Sequence, residues 1–208
     1  MKIIRNDHPD TLFPYIAYVS EELSEHPALI LQLHGAGERG SGGDELDAVT
    51  IHGFTNVVND ENFRDCILLM PQCPWDSFWV AKIESLKRFL DEFVEAHSID
   101  RDRIYLCGIS MGGYGTWFTG MAYPDYFAAL APCCGGGMAW HANVLKMPIW
   151  TFHGKEDIVV SPTQTIEMVE KLKENGNVKF TFYDGVGHAS HTLAFSEELL
   201  QWMLAQHK

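Results

Sequence analysis

The chain has 208 residues, 46% of them hydrophobic, enough for one core and short for two, so residues 1–208 are read as a single domain. Fifteen Lys and Arg against 28 Asp and Glu give a formal net charge of −13, which argues against nucleic acid or an anionic membrane surface as a partner. No apolar run approaches the ~20 residues that span a bilayer, no apolar leader is visible behind Met1, and the five cysteines follow no disulfide or metal spacing, so a reducing, cytoplasmic setting is expected.

Taken in chain order, the predicted elements alternate. Strands near Tyr15–Val19 and Leu29–Leu33 are apolar runs, the second leading directly into His34-Gly35-Ala36-Gly37-Glu38-Arg39-Gly40. A strand at Cys66–Met70 runs into Pro71-Gln72-Cys73-Pro74-Trp75, and a helix is predicted over Val80–His97. Next come strand Ile104–Cys107, helix Met111–Tyr123 stopped by Pro124, strand Ala128–Ala131 and one short helix around Met138–Leu145. Strand Ile149–Phe152, helix Thr163–Asn175, strand Lys179–Tyr183 and helix Thr192–Gln206 follow, with Asn175-Gly176-Asn177 as a helix stop. The alternation predicts a mostly parallel, twisted sheet with helices on both faces.

Gly108-Ile109-Ser110-Met111-Gly112 stands between a predicted strand and a predicted helix. A serine on so sharp a turn has a strained backbone, and glycine two residues either side lets strand and helix pass without a Cβ clash. Its hydroxyl then stands clear of the sheet at the positive end of a helix. A serine hydroxyl becomes a nucleophile when an imidazole takes its proton, and that imidazole is oriented by a carboxylate. Asp157 lies in the loop after strand Ile149–Phe152, and His188 in the loop after strand Lys179–Tyr183. Ser110, Asp157 and His188 therefore project from three strand ends at one sheet edge, in the order this architecture uses. Glu156 ranks second to Asp157 as the acid. His153, at the tail of an apolar strand, reads as a core residue rather than the base. His191 stands three residues past His188, but no further ligand at metal spacing accompanies the pair, so no metal is expected.

Acyl transfer also needs two donors aimed at the oxygen that becomes negative. The backbone N–H of Met111 is one candidate and that of Ala36 the other, with Gly35 and Gly37 allowing close approach of bare backbone. A phosphate-binding loop is the competing reading of this segment, but Gly40 is followed by Ser41-Gly42-Gly43 where such a loop needs a lysine. Arg39 is expected to order the loop or to meet a substrate carboxylate.

The blocks Leu33 to Gly40, Met70-Pro71-Gln72-Cys73-Pro74-Trp75, Gly108 to Trp117, Phe152-His153-Gly154-Lys155-Glu156-Asp157 and Gly187-His188 resemble bacterial single-domain α/β-hydrolases. These are variously labelled predicted peptidases, dienelactone-hydrolase-like proteins, or esterases of the phospholipase/carboxylesterase and feruloyl-esterase type. The resemblance implies an α/β-hydrolase fold and a carboxylic-ester hydrolase with no metal and no cofactor, using Ser110, Asp157 and His188. Members often carry Asp and then Trp after the histidine, where this chain has Ala189-Ser190-His191. That loop borders the substrate, so acyl specificity is not carried over.

Only Pro132 to Met147 separates two of the predicted strands, room for one short helix and not for a large lid. An open site favours short or compact acyl groups. Gln72, Trp75, Phe78 and Trp79 follow a strand end, and with Trp117 and Trp140 they are candidates for an aromatic substrate wall. The expected partner is a small-molecule ester. A peptidase or an acyltransferase on the same three residues is the alternative, and a non-catalytic binding protein of this fold is the last.

Overall fold

The structure, a computed structural model, describes residues 1–8 and 10–208. Eight strands form one sheet: β1 (Lys2–Asn6), β2 (Tyr15–Val19), β3 (Ala28–Leu33), β4 (Cys66–Pro71), β5 (Ile104–Ile109), β6 (Ala129–Cys133), β7 (Ile149–Gly154) and β8 (Val178–Tyr183). Their spatial order is β1-β2-β4-β3-β5-β6-β7-β8. β2 runs antiparallel to β1 and β4, and the remaining neighbours are parallel.

Residue type explains the layering. Every side chain of β3, β4, β5, β6 and β7 is buried, as expected of strands covered on both faces. Along β3, Leu29, Leu31 and Leu33 point to one face, where they meet Leu86, Leu90 and Phe93 of α1 (Ile83–Ala96) and Trp117 of α2 (Met111–Ala122). Met168 and Leu172 of α3 (Thr163–Leu172) cover the same face. Ile30 points the other way, into a second core with Leu46, Phe54 and, from α5 (Glu197–Leu204), Leu199, Leu200 and Met203. Full burial of each such leucine contributes about 1.5–3 kcal/mol of transfer free energy, less the entropy of fixing it.

Topology places the site. From β3 the chain moves to β4 on one side, and from β5 to β6 on the other. The loops after β3 and β5 diverge there, opening a crevice at the carboxyl ends of the strands. Leu33 is in register with Gly108, so the segment starting at His34 lies beside the turn at Ser110.

Four expectations change. β1 was not predicted: Lys2-Ile3-Ile4-Arg5-Asn6 is an edge strand, mostly exposed, and lacks the apolar alternation that marks a buried one. The helix predicted from Val80 opens as a 3₁₀ turn over Trp79–Lys82 and becomes α-helical at Ile83. The predicted helix Thr192–Gln206 is two pieces, α4 (His191–Ala194) and α5, because Ala194 and Phe195 are both drawn into the core and the chain turns extended at Phe195. Ser196 then caps α5, its hydroxyl accepting from Leu199 N–H (3.3 Å), with Glu197 and Glu198 in the first turn. Lastly, the predicted short helix around Met138–Leu145 is a 3₁₀ segment, Ala139–Val144.

Candidate active site

Ser110 sits between β5 and α2 with φ 54° and ψ −113°, in the left-handed half of backbone space that β-carbon-bearing residues avoid. The flanking glycines are sterically required: a Cβ on Gly108 would stand 2.3 Å from Gly112 O, and one on Gly112 2.0 Å from Leu33 O. The turn is pinned by Ser110 N–H donating to Cys133 O (2.9 Å) and Tyr114 N–H donating to Ser110 O (3.0 Å).

Ser110 Oγ lies 2.9 Å from His188 Nε2, and His188 Nδ1 lies 2.7 Å from Asp157 Oδ2. With Nδ1–H donating to the carboxylate, Nε2 is free to accept the serine proton. Asp157 Oδ1 accepts the N–H groups of Val159 and Val160, both at 2.9 Å. Burial pushes the Asp157 carboxyl upward, but the His188 bond and the Val160 and Val159 amides outweigh it and hold the group below its ordinary value. A buried anion that stays charged is what an imidazole needs to become cationic beside it.

His153 is also within reach of that carboxylate, with Nε2 3.2 Å from Asp157 Oδ2 and 3.0 Å from Val160 O. Its Nδ1 bonds Thr165 Oγ1 (2.7 Å), whose hydroxyl donates to Gly135 O (2.7 Å). It is fully buried and touches the acid, not the serine. Glu156 is exposed and outside this chain of bonds.

The loop after β3 is built around His34. Cys73 N–H donates to His34 Nε2 (2.9 Å), which fixes the proton on Nδ1, and Nδ1–H donates to Gly35 O (2.6 Å). A trans peptide points its carbonyl and N–H in opposite directions, so holding Gly35 O inward turns Ala36 N–H outward. A Cβ on Gly35 would be 3.8 Å from Ser110 Cβ, so this peptide borders the serine. Met111 and Ala36 each begin a helical segment, where the first N–H groups have no intrahelical acceptor. Burial lowers the His34 pKa to about 4, keeping the ring neutral and able to accept from Cys73. Arg39 also orders this loop, donating to the carbonyls of Ala36 (2.9 Å), Trp75 (3.3 Å) and Ser77 (3.3 Å).

Beside Ser110 lies a cavity of about 500 Å³, lined by Phe78, Val80, Met111, Tyr114, Phe118, Gly137 and Gln164. The predicted wall is largely elsewhere. Trp79 and Trp117 are fully buried core residues, Trp79 donating its indole N–H to His34 O (3.0 Å), so neither reaches the cavity. Gln72 is likewise buried. It accepts from Gly42 N–H (2.9 Å) and donates to Glu38 O (3.1 Å) and Glu45 O (2.8 Å), tying the loop together. Trp75 is exposed, hydrogen-bonded to Glu45 (3.0 Å) and capped by Arg39, and Trp140 is exposed on the 3₁₀ segment; neither lines the cavity. Of the aromatics singled out, only Phe78 does. Tyr114 and Phe118 were missed, although their four-residue spacing on a helix starting at Met111 puts both on one face with Ser110.

Glu38, His52 and His191 are further neighbours that sequence order did not bring together. Glu38 Oε1 is 3.8 Å from His52 Nε2, and the His52 and His191 rings lie 4.7 Å apart. Among the described residues no cluster of three or more His, Cys, Asp and Glu is arranged to hold a metal ion. The five cysteines are buried free thiols.

Comparison with known proteins finds similarity to ester hydrolases. The sequence model of the dienelactone hydrolase family matches residues 70–194. A thermostable esterase of known structure is 31% identical, with a TM-score of 0.79 over 100% of this chain and 63% of its own. The bifunctional acetylxylan esterase/xylanase of Neocallimastix patriciarum is 26% identical over 163 residues, covering 76% of this chain. A poly(3-hydroxyalkanoate) depolymerase of Paucimonas lemoignei is 29% identical over 135 residues, covering 49% of this chain. The chain spans only 23% and 30% of those two curated relatives.

Proposed function

The chain belongs to the dienelactone hydrolase family, and on that premise we propose that it hydrolyses small carboxylic esters through an acyl-enzyme formed on Ser110. His188 takes the serine proton as Oγ attacks the ester carbonyl, and the N–H groups of Ala36 and Met111 receive the developing oxyanion. The tetrahedral intermediate collapses as His188 protonates the leaving alkoxide. Water then repeats the sequence on the acyl-enzyme, returning acid and free serine. Asp157 holds the imidazole tautomer and stabilises the imidazolium in both halves.

The observation that carries this reading is the unbroken chain Ser110 Oγ to His188 Nε2 at 2.9 Å and His188 Nδ1 to Asp157 Oδ2 at 2.7 Å, at the mouth of an apolar cavity. The cavity suits a compact acyl group, and Phe78, Tyr114 and Phe118 give an aromatic acyl ring surfaces to pack on. The test is labelling with a fluorophosphonate probe, beside a Ser110→Ala variant and a panel of acetyl, butyryl and aromatic acyl esters. Labelling at Ser110 with turnover of the panel supports the reading; a folded wild type that neither labels nor turns over any ester overturns it.

A further inference from the structure

The surroundings of Ser110 differ in chemistry from one region to the next. The cavity beside α2 is apolar, lined by Phe78, Val80, Met111, Tyr114 and Phe118. Three residues past His188 stands His191, and with His52, Gly53, Asn56, Thr192 and Phe195 it lines a separate cleft of about 230 Å³. His52 turns Nε2 toward the Glu38 carboxylate.

Two polar groups here have unfilled hydrogen-bonding capacity. The Glu38 side chain is only 14% exposed, yet its nearest basic nitrogens, on His52 and His34, are at 3.8 and 3.9 Å, beyond hydrogen-bond reach. The His34 proton is already committed to Gly35 O. His191 Nδ1 is buried and has no nitrogen or oxygen partner among the described residues, the Cys134 thiol being its polar neighbour. The Glu38 oxygens reach solvent and so are open to a hydroxyl donor, whereas a buried ring nitrogen left without a partner is costly to a fold.

We propose that this cleft, with Glu38 at its edge beside His52, is the subsite for the leaving alcohol and that it selects a small hydroxyl-rich alcohol, Glu38 accepting from its hydroxyls and His52 and His191 completing the contacts. The inference rests on the esterase reading. Protonation by His188 requires the leaving oxygen to lie against that imidazole. Glu38 spans the distance from there to the cleft: a Cβ on Gly35 would stand 3.0 Å from its Oε2 and 3.8 Å from Ser110 Cβ, and its Oε1 is 3.8 Å from His52. Apolar surface beside α2 then takes the acyl group. His, Asn and Thr both donate and accept, which matches hydroxyls, whereas the lining holds no Lys or Arg for an anionic alcohol. The volume is below the ~300–1,000 Å³ of drug-sized sites, so it holds one small polyol unit.

The test compares kcat/KM for three esters of one acyl group: glycerol monoacetate, acetylcholine and ethyl acetate. Wild type is expected to favour the glycerol ester over the ethyl ester by about tenfold or more, as one or two hydrogen bonds to a charged group allow. Glu38→Leu, and independently His52→Leu at the more exposed side of the pair, should each cut that ratio by about tenfold. An equal rate for glycerol and ethyl esters, or a ratio unmoved in both variants, overturns the subsite. Preference for acetylcholine overturns the hydroxyl-rich assignment in favour of a cationic alcohol. Failure of wild type to hydrolyse any of the three overturns the esterase reading and this one with it.

Discussion

One oxygen of Asp157 lies between two imidazoles, with Oδ2 2.7 Å from His188 Nδ1 and 3.2 Å from His153 Nε2. The two histidines have separate tasks, since only His188 reaches Ser110. Asp157→Asn should lower kcat by about 10⁴, because an amide nitrogen facing Nδ1 favours the wrong tautomer. His153→Leu should act on the fold instead: it orphans a buried Thr165–Asp157 corner and should cost about 1–3 kcal/mol in a urea titration. Equal losses of kcat in the two variants, with stability unchanged, would refute this division.

The same carboxylate makes an acid-stability prediction. Its pKa is depressed in the folded state, so its contribution is fully present above the ordinary carboxylate pKa of about 4 and is lost as pH falls below that. Wild type should therefore lose its stability advantage over Asp157→Asn in thermal melts stepped from pH 5 to pH 3. An advantage that grows with acidification would show that the sign is wrong.

Backbone strain at Ser110 can be released at the expense of chemistry. With φ at 54°, glycine is the residue this position tolerates best. Ser110→Gly is expected to abolish turnover, a drop of about 10⁶ in kcat as for other removed nucleophiles. It should also raise stability by about 1 kcal/mol, or some 2–4 °C in Tm at this chain length. Calorimetry on Ser110→Gly and Ser110→Ala separates the two effects, since alanine keeps the strain; a glycine variant that melts no higher than the alanine one refutes stored strain.

Much of this was legible in the chain. Buried strands announce themselves as apolar runs, and Gly108 and Gly112 mark a turn that only glycine fits, so β2 to β8 and the placement of Ser110, Asp157 and His188 after three strand ends could be read directly. The wall of the substrate cavity could not. Trp79 and Trp117 are as aromatic as Phe78 and Phe118, and what separates core from cavity is which face of a short helix or 3₁₀ turn each occupies. Residue type carries no such sign when both faces are apolar. Glu38, His52 and His191 meet only because the segment between β3 and β4 folds back onto the loop after β8. Such contact across distant loops has no periodic signature.

The apolar cavity should set the acyl preference. Val80 and Phe118 both line it. Val80→Phe should reduce the kcat/KM ratio of butyryl or aromatic acyl esters to acetyl esters by about tenfold, as a filled pocket rejects larger groups. Phe118→Ala should shift the ratio the other way. A panel of one alcohol with graded acyl groups reads both changes, and an acetyl-to-butyryl ratio indifferent to both variants would move the acyl site elsewhere.

His34 supports the loop proposed to hold the oxyanion only while its ring is neutral, because Nε2 must accept from Cys73 N–H while Nδ1–H holds Gly35 O. Its folded-state pKa of about 4 lies below the ordinary 6.5. Between those values the unfolded chain binds a proton that the folded one refuses, so stability rises with pH across the window. The contribution is complete above about 6.5 and is lost as pH falls toward 4. His34→Gln cannot titrate, so its stability should change less over that range, by up to about 1.4 kcal/mol per pH unit. Its kcat should fall by about 10²–10³ as Ala36 N–H loses its aim. Urea midpoints at pH 4.5, 5.5 and 6.5 test the first claim, and parallel curves for wild type and variant would remove His34 as the titrating group.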